Sequence, residues 1–174
     1  MNEQAILDVL DRIRSRFYGK YRGTVTDVEQ PGRGRIKASV PAVLGDQSTG
    51  WCDPCVPYAG SNVGIAFLPA IGAGVWIEFE GGDVSYPIWS GCYWRDGEMP
   101  SKVAPGTMVI QTASGHSIIL DDNGATVTIT DASGNSLSFA GSGITLQAAN
   151  GGGSIALTDA EVNVNNGNLE VLVA

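Results

Sequence analysis

From Ile118 to Val171 the chain repeats one small unit: two large apolar residues two positions apart, then a short polar turn. The pairs are Ile118/Leu120, Val127/Ile129, Leu137/Phe139, Ile144/Leu146, Ile155/Leu157, Val162/Val164 and Leu169/Val171; from Val127 their starts advance by 10, 7, 11, 7 and 7 residues. The separators are DDNG, DASGN, AGSG, ANGGG and NNGN, residue types that reverse the chain. A period of two is that of a strand with one apolar face. Each strand supplies two large apolar residues, and a region of about 60 residues is already marginal by size. A lone chain leaves one face thinly covered, so several chains must share one core. Short strands intertwined about a three-fold axis would put Val, Ile and Leu inside and Thr, Ser, Asn and Asp outside. They would also pair strand edges between chains. About eight strands per face, at about 4.8 Å each, predict a rod on the order of 40 Å long. The expected axis residues are Leu137, Phe139, Ile144, Leu146, Ile155, Leu157, Val162 and Val164.

Charge divides the chain in the same place. All ten Lys and Arg lie at or before Lys102, whereas residues 103–174 hold Asp121, Asp122, Asp131, Asp159, Glu161 and Glu170 without a single cation. A net charge of −8 argues against nucleic acid, which needs a basic stripe, and against attraction to anionic membranes. No apolar run approaches the ~20 residues of a membrane span. The start, MNEQAILDVL, lacks the basic flank of a secretory signal. Synthesis in the cytoplasm without a signal peptide is therefore expected.

Ahead of the repeat, Ile6, Leu10, Ile13 and Phe17 fall at spacings of 4, 3 and 4, one face of an amphipathic helix over 2–18. Asn2 is a candidate cap, acids sit early and Arg12, Arg14 and Arg16 late, which suits the helix dipole. Gly19 supplies a stop. The helix either packs on its own domain or docks on a partner. Between Lys20 and Trp94, short β-patterned runs alternate with Gly and Pro. Strands are expected near Tyr21–Val28, Arg35–Val40, Trp51–Tyr58, Val63–Leu68, Val75–Glu80 and Ile88–Tyr93. In GVWIEFEGG, Val75, Ile77 and Phe79 alternate with Trp76, Glu78 and Glu80. Five or six short strands in about 75 residues fit a small closed barrel of the oligonucleotide/oligosaccharide-binding (OB) type. The expected organisation is a helix at 1–19, a barrel at 20–97, a connector at 98–111 and a shaft at 112–174.

Candidate chemistry is sparse. WCDPC at 51–55 has redox spacing, but Pro57 and Gly60 forbid the helix that would activate a thiolate. Cys52, Cys55 and Cys92 are an odd count, a poor disulfide framework, and are expected to be buried and structural. They form no paired zinc spacing with His116, the sole histidine. His116 has Ser114, Ser117 and Asp121 nearby, but on alternating strand positions and a turn, which gives no triad. Glu78 and Glu80 stand about 7 Å apart on one strand face but need a cleft to act as a glycosidase. Trp76, Trp89 and Trp94 could stack bases or sugars, although packing is the plainer role. No catalytic, metal or cofactor site is expected. The competing reading is an OB-fold binding module for single-stranded nucleic acid or glycan.

The stretches WCDPCVPYAG, FLPAIGAGVWIEFEGGDVSYPIWSGCYW and TASGHSIILDD together resemble the baseplate spike proteins of contractile phage tails. This is the baseplate assembly protein V family, related to the valine-glycine-repeat spike of type VI secretion. The likeness rests on Leu68-Pro69, Gly72, Gly74-Val75, Phe79-Glu80, Gly82-Asp83, Pro87, Gly91 and Trp94, then on Ser114-Gly115-His116 and Leu120-Asp121-Asp122. It runs over roughly residues 15–174. It implies a mainly β homotrimer: an OB-fold barrel on the baseplate hub, then an intertwined triple-stranded β-helix needle driven through the target outer membrane when the sheath contracts. The resemblance further implies a place in a virion tail baseplate or a related contractile particle. Hub docking would then use Ile6, Leu10, Ile13 and Phe17. With no lysozyme-sized insert, no enzyme activity is expected. With His116 alone, a metal-binding His-x-His tip is not expected either, and a separate tip protein is expected on Leu172, Val173 and Ala174.

Overall fold

The computed structural model describes residues 3–30, 32–165 and 168. The chain divides into two compact units, Met1–Glu98 and Met99–Ala174, and no helix among the described residues is long and apolar enough to cross a membrane.

The first unit opens with α1 (Glu3–Arg14). This helix ends sooner than the apolar spacing predicted. Phe17 lies beyond it: its N–H donates to the Gly82 carbonyl at 2.8 Å, and its ring packs edge-on against Tyr21 and Phe79. Arg16 adds an ion pair to Asp83 at 3.0 Å. Bonds to the 81–83 turn thus take over where a fourth helical turn would have formed.

Eight short elements follow: β1 (Tyr21–Val28), β2 (Ile36–Ser39), α2 (Pro41–Leu44), β3 (Asp53–Pro54), β4 (Ala59–Gly60), β5 (Val63–Gly64), β6 (Gly74–Phe79) and β7 (Pro87–Tyr93). Five strands form one sheet in the order β2-β1-β6-β7-β3, antiparallel except where β3 runs parallel to β7. The ring closes from β3 back to β2. Ile36 and Cys52 exchange N–H···O bonds of 3.3 and 2.7 Å, and the Thr49 N–H donates to the Ala38 carbonyl at 2.8 Å. The core is Val25, Ile36, Ala38, Val40, Cys52, Val75, Ile77, Phe79 and Trp89. Val75, Ile77 and Phe79 point inward between half-buried Trp76 and Glu78, as the alternation requires. At Gly74 a Cβ would lie 2.8 Å from the Tyr93 ring, so a bare backbone is needed for β6 and β7 to meet there. The two strands expected between residues 51 and 68 shrink to two-residue pairings. Pro54 and Pro57 have no N–H to donate to a ladder.

The second unit is one seven-stranded antiparallel meander: β8 (Thr107–Gln111), β9 (Ser117–Asp121), β10 (Thr126–Thr130), β11 (Ser136–Ala140), β12 (Gly143–Gln147), β13 (Ser154–Leu157) and β14 (Val162–Val164). One expectation is corrected here. Strand β8 occupies residues assigned to the 98–111 connector; its pair Met108/Ile110 has the same two-residue spacing as the repeat, hidden behind Pro100, Pro105 and Gly106. Within the chain, the ladder bonds run between sequence neighbours. Short turns make that the cheapest closure.

Side chains hold the turns. Asp131 Oδ1 accepts from the Ser133 and Asn135 N–H groups, both at 2.8 Å. The Asn135 side chain, then its backbone N–H, holds the Asp131 carboxyl below its ordinary range. Neighbouring turns are also tied together, since Asn135 Oδ1 accepts from the Ala149 N–H at 2.9 Å and His116 Nδ1 accepts from the Ala132 N–H at 3.2 Å.

Candidate functional site

Register turns the sequence pairs into two continuous rows. One runs Ile110, Ile118, Ile129, Leu137, Leu146, Ile155, Val164, and the other Met108, Leu120, Val127, Phe139, Ile144, Leu157, Val162. Between them, pointing to the opposite face, lies Val109, Ile119, Thr128, Ser138, Thr145, Ala156, Asn163. All eight residues expected on the axis sit in the two rows. Six further strand residues, Ile118 to Ile129 and the unforeseen Met108 and Ile110, join them there.

Nothing in the described part of this unit covers the rows. Leu146 is 51% exposed, Leu157 43%, Phe139 41% and Ile144 37%. Fully burying one such side chain stabilises by roughly 1.5–3 kcal/mol. With about two-fifths of each bare, covering fourteen would contribute on the order of 10 kcal/mol per chain, comparable to a whole domain's net stability of about 5–15 kcal/mol. A sheet with one uncovered apolar face is an incomplete layer structure. This face carries no charged side chain, so other apolar sheets are what it can accept.

Residues 107–170 match the phage baseplate V C-terminal trimerisation domain, and residues 21–94 match the type VI secretion system/phage-baseplate injector OB domain. The chain belongs to the baseplate V spike family. The two matched stretches take in the barrel and the meander. A comparison with curated proteins gave no match. In this spike the C-terminal unit is thus a mainly β trimerisation domain and the N-terminal unit an OB domain.

The remaining sequence candidates scatter across the spike. Ile6, Leu10 and Ile13 are exposed on α1, as are Leu7 and Val9, while Phe17, beyond the helix, is half-buried and packs against the barrel core. Leu172, Val173 and Ala174 lie outside the described residues. Of the cysteines expected to be buried, only Cys52 is; Cys55 and Cys92 are exposed, Cys92 at an exposed position of β7 and Cys55 just past the end of β3. Burial pushes the Cys52 thiol up, against a weaker opposing hydrogen bond from Thr49, the reverse of what a reactive thiolate needs. Glu78 stays on β6, hydrogen-bonded by Lys20 and Ser90, whereas Glu80 begins the turn after it, so the two do not form a carboxylate pair on one strand. Trp89 is buried, its Nε1–H donating to the Gly34 carbonyl at 3.0 Å. Trp76 packs against Tyr93 and beneath Arg22, and Trp94 is exposed. The three share no stacking platform. His116 is held by the Ala132 N–H, and the neighbouring Ser117 Oγ is buried without a hydrogen-bond partner. Among the described residues no three His, Cys, Asp or Glu side chains gather as a metal ion requires.

Proposed function

We propose that this protein is the central spike of a contractile injection machine, a non-enzymatic homotrimer that breaches the target envelope mechanically. The observation that carries the reading is the pair of uncovered apolar rows in a unit that matches a trimerisation domain. Three meanders packed row against row enclose a dry axis of Ile, Leu, Val and Phe. Their hydroxyl-rich faces, with Thr128, Ser138 and Thr145 at the centre, then meet water. The spike's contribution is stiffness: a packed interior has the density of a crystal and low compressibility. Every strand is tied to its neighbour by ladder bonds, and alternate turns by His116 and Asn135. The OB domain docks on the baseplate hub, with the exposed apolar residues of α1 as its contact, and a separate tip protein binds at Leu172, Val173 and Ala174. The assembled particle, in the case of a phage the virion tail baseplate, is where the spike works.

The test is the solution mass together with a puncture assay. A trimer of 18.1 kDa chains, about 54 kDa, that survives mild heating in detergent is expected. Particles carrying it should permeabilise target cells, and particles carrying a shaft that cannot trimerise should not. A stable monomer, or full permeabilisation by the broken shaft, would overturn the reading.

A further inference from the structure

Two turns on one edge of the meander are near copies of each other. Thr112-Ala113-Ser114-Gly115-His116 joins β8 to β9, and Asp131-Ala132-Ser133-Gly134-Asn135 joins β10 to β11. Position by position they are built alike. Gly115 and Gly134 sit at φ +98° and +95°, and their N–H groups donate to the Thr112 and Asp131 carbonyls at 3.0 and 3.1 Å. The side-chain oxygen of each first residue accepts from the N–H of the fifth: Thr112 Oγ1 from His116 at 3.1 Å, Asp131 Oδ1 from Asn135 at 2.8 Å. The fifth residue then reaches to the second residue of the next turn along that edge. His116 Nδ1 accepts from the Ala132 N–H at 3.2 Å, and Asn135 Oδ1 from the Ala149 N–H at 2.9 Å. One tie is thus made twice, once by a side chain of the type that titrates near neutrality and once by one that does not titrate.

We infer that His116 is a pH-sensitive fastening of the meander: its neutral imidazole ties the first of these turns to the second, and protonation unties them while the Asn135 tie holds. An acceptor nitrogen exists only in the neutral ring. In the imidazolium both nitrogens are donors, so turning the ring over cannot restore the bond, and the Ala132 N–H is left facing another donor. The one other titratable side chain on the two turns is Asp131. Its oxygens are taken by the Ser133 and Asn135 N–H groups and the Asn135 side chain. Those bonds hold its carboxyl below the ordinary range, so it stays ionised over the interval in which imidazole titrates, about pH 5–8. Residues 103–174 contain no second histidine, no cysteine and no lysine. His116 is therefore the one side chain there of a type that changes charge near neutrality.

Amide hydrogen exchange of the full-length protein, resolved by NMR and corrected for the intrinsic rate at each pH, tests this with Ala149 as the internal control for Ala132. Losing one hydrogen bond of this kind changes local opening by about three- to tenfold. Between about pH 7.5 and pH 5, a span that brackets most of the imidazole range, protection at Ala132 should fall by that factor relative to Ala149. The fall should keep step with protonation read from the imidazole nitrogen shifts. His116→Asn copies the Asn135 arrangement into the first turn and should hold the ratio of the two protections constant over the same span. A constant ratio in the parent overturns the inference, and this titration decides the matter even if His116→Asn fails to fold. A fall that persists in His116→Asn overturns it as well, because another group then carries the pH response.

Discussion

Leu146 offers the sharpest test of the shared core. It stands on β12 in the middle of the meander, paired with Leu137 on one side and Ile155 on the other, and is 51% exposed in the single chain. A fully buried Leu→Ala change costs about 2–5 kcal/mol, transfer and cavity together. Half of that burial already exists within the chain, so covering by neighbours accounts for about half the cost, roughly 1–2.5 kcal/mol per chain. Each trimer contains the change three times, which brings the expected loss of assembly free energy to about 3–7 kcal/mol. At 1.36 kcal/mol per decade this weakens the trimer by about 10²- to 10⁵-fold. Leu146→Asp would place three carboxylates in one layer, where burial and mutual repulsion both oppose charge, and should abolish assembly. Thr145 is the control: adjacent in sequence, it points to the opposite face, level with Ser138 and Ala156. Mass photometry over a dilution series gives the readout. Thr145→Ala should dissociate at the same concentration as the parent, Leu146→Ala at a much higher one. If Leu146→Asp stayed trimeric while Thr145→Ala came apart, the assignment of faces would be reversed and the argument for a shared apolar axis would fail.

Other perturbations separate the two units. Gly143 sits at φ +128°, where a Cβ would lie 1.9 Å from the Leu157 carbonyl oxygen; Gly143→Ala should break the β12–β13 ladder and cost about 3 kcal/mol or more per chain in shaft unfolding by calorimetry. Phe17→Ala removes a half-buried ring from the barrel and should lower barrel stability by about 2 kcal/mol in urea melts without changing the solution mass. The Arg35 guanidinium, with the Arg33 N–H, holds Glu29 down at about 2 from an ordinary 4.5. The unfolded chain therefore takes up the proton first as pH falls, so this pair's stabilisation is whole above about pH 4.5 and is lost towards pH 2. Glu29→Gln should flatten that part of the barrel's thermal melting profile, and an unchanged slope between about pH 4.5 and 2 would show the pair is not linked to folding.

The shaft was legible because a strand's period of two leaves its mark in every apolar pair. Val127/Ile129 through Val162/Val164 announce both the strands and the face they share. Which strands hydrogen-bond to which was not legible, since the same pattern serves a ladder between chains or within one. Turn length decides, and the DASGN and AGSG turns are short enough to fold each strand back on its predecessor. Met108 and Ile110 escaped because the prolines before them read as connector. In the barrel, strands β1, β2, β6 and β7 carry their own alternation, whereas β3 to β5 are defined by tertiary pairing and left almost no local pattern. Phe17 kept the helical spacing but was captured by Tyr21 and Phe79, a contact visible only in three dimensions. Likewise Cys55 and Cys92 are exposed, which no count of cysteines could reveal.

The meander's uniform register has a consequence for how such shafts change length. Each strand brings its own two apolar residues to the same two rows, so no strand is specialised for its position. A single inserted residue within a strand would swap its faces, but a whole hairpin can be added or removed without redesigning any neighbour. Duplicating Ser136–Gln147 with its following turn should therefore extend the sheet by two spacings, about 10 Å, measurable by small-angle scattering. An even number of added strands also returns the chain to the same edge. The length of the meander is thus adjustable in discrete steps, by copying a segment that already works.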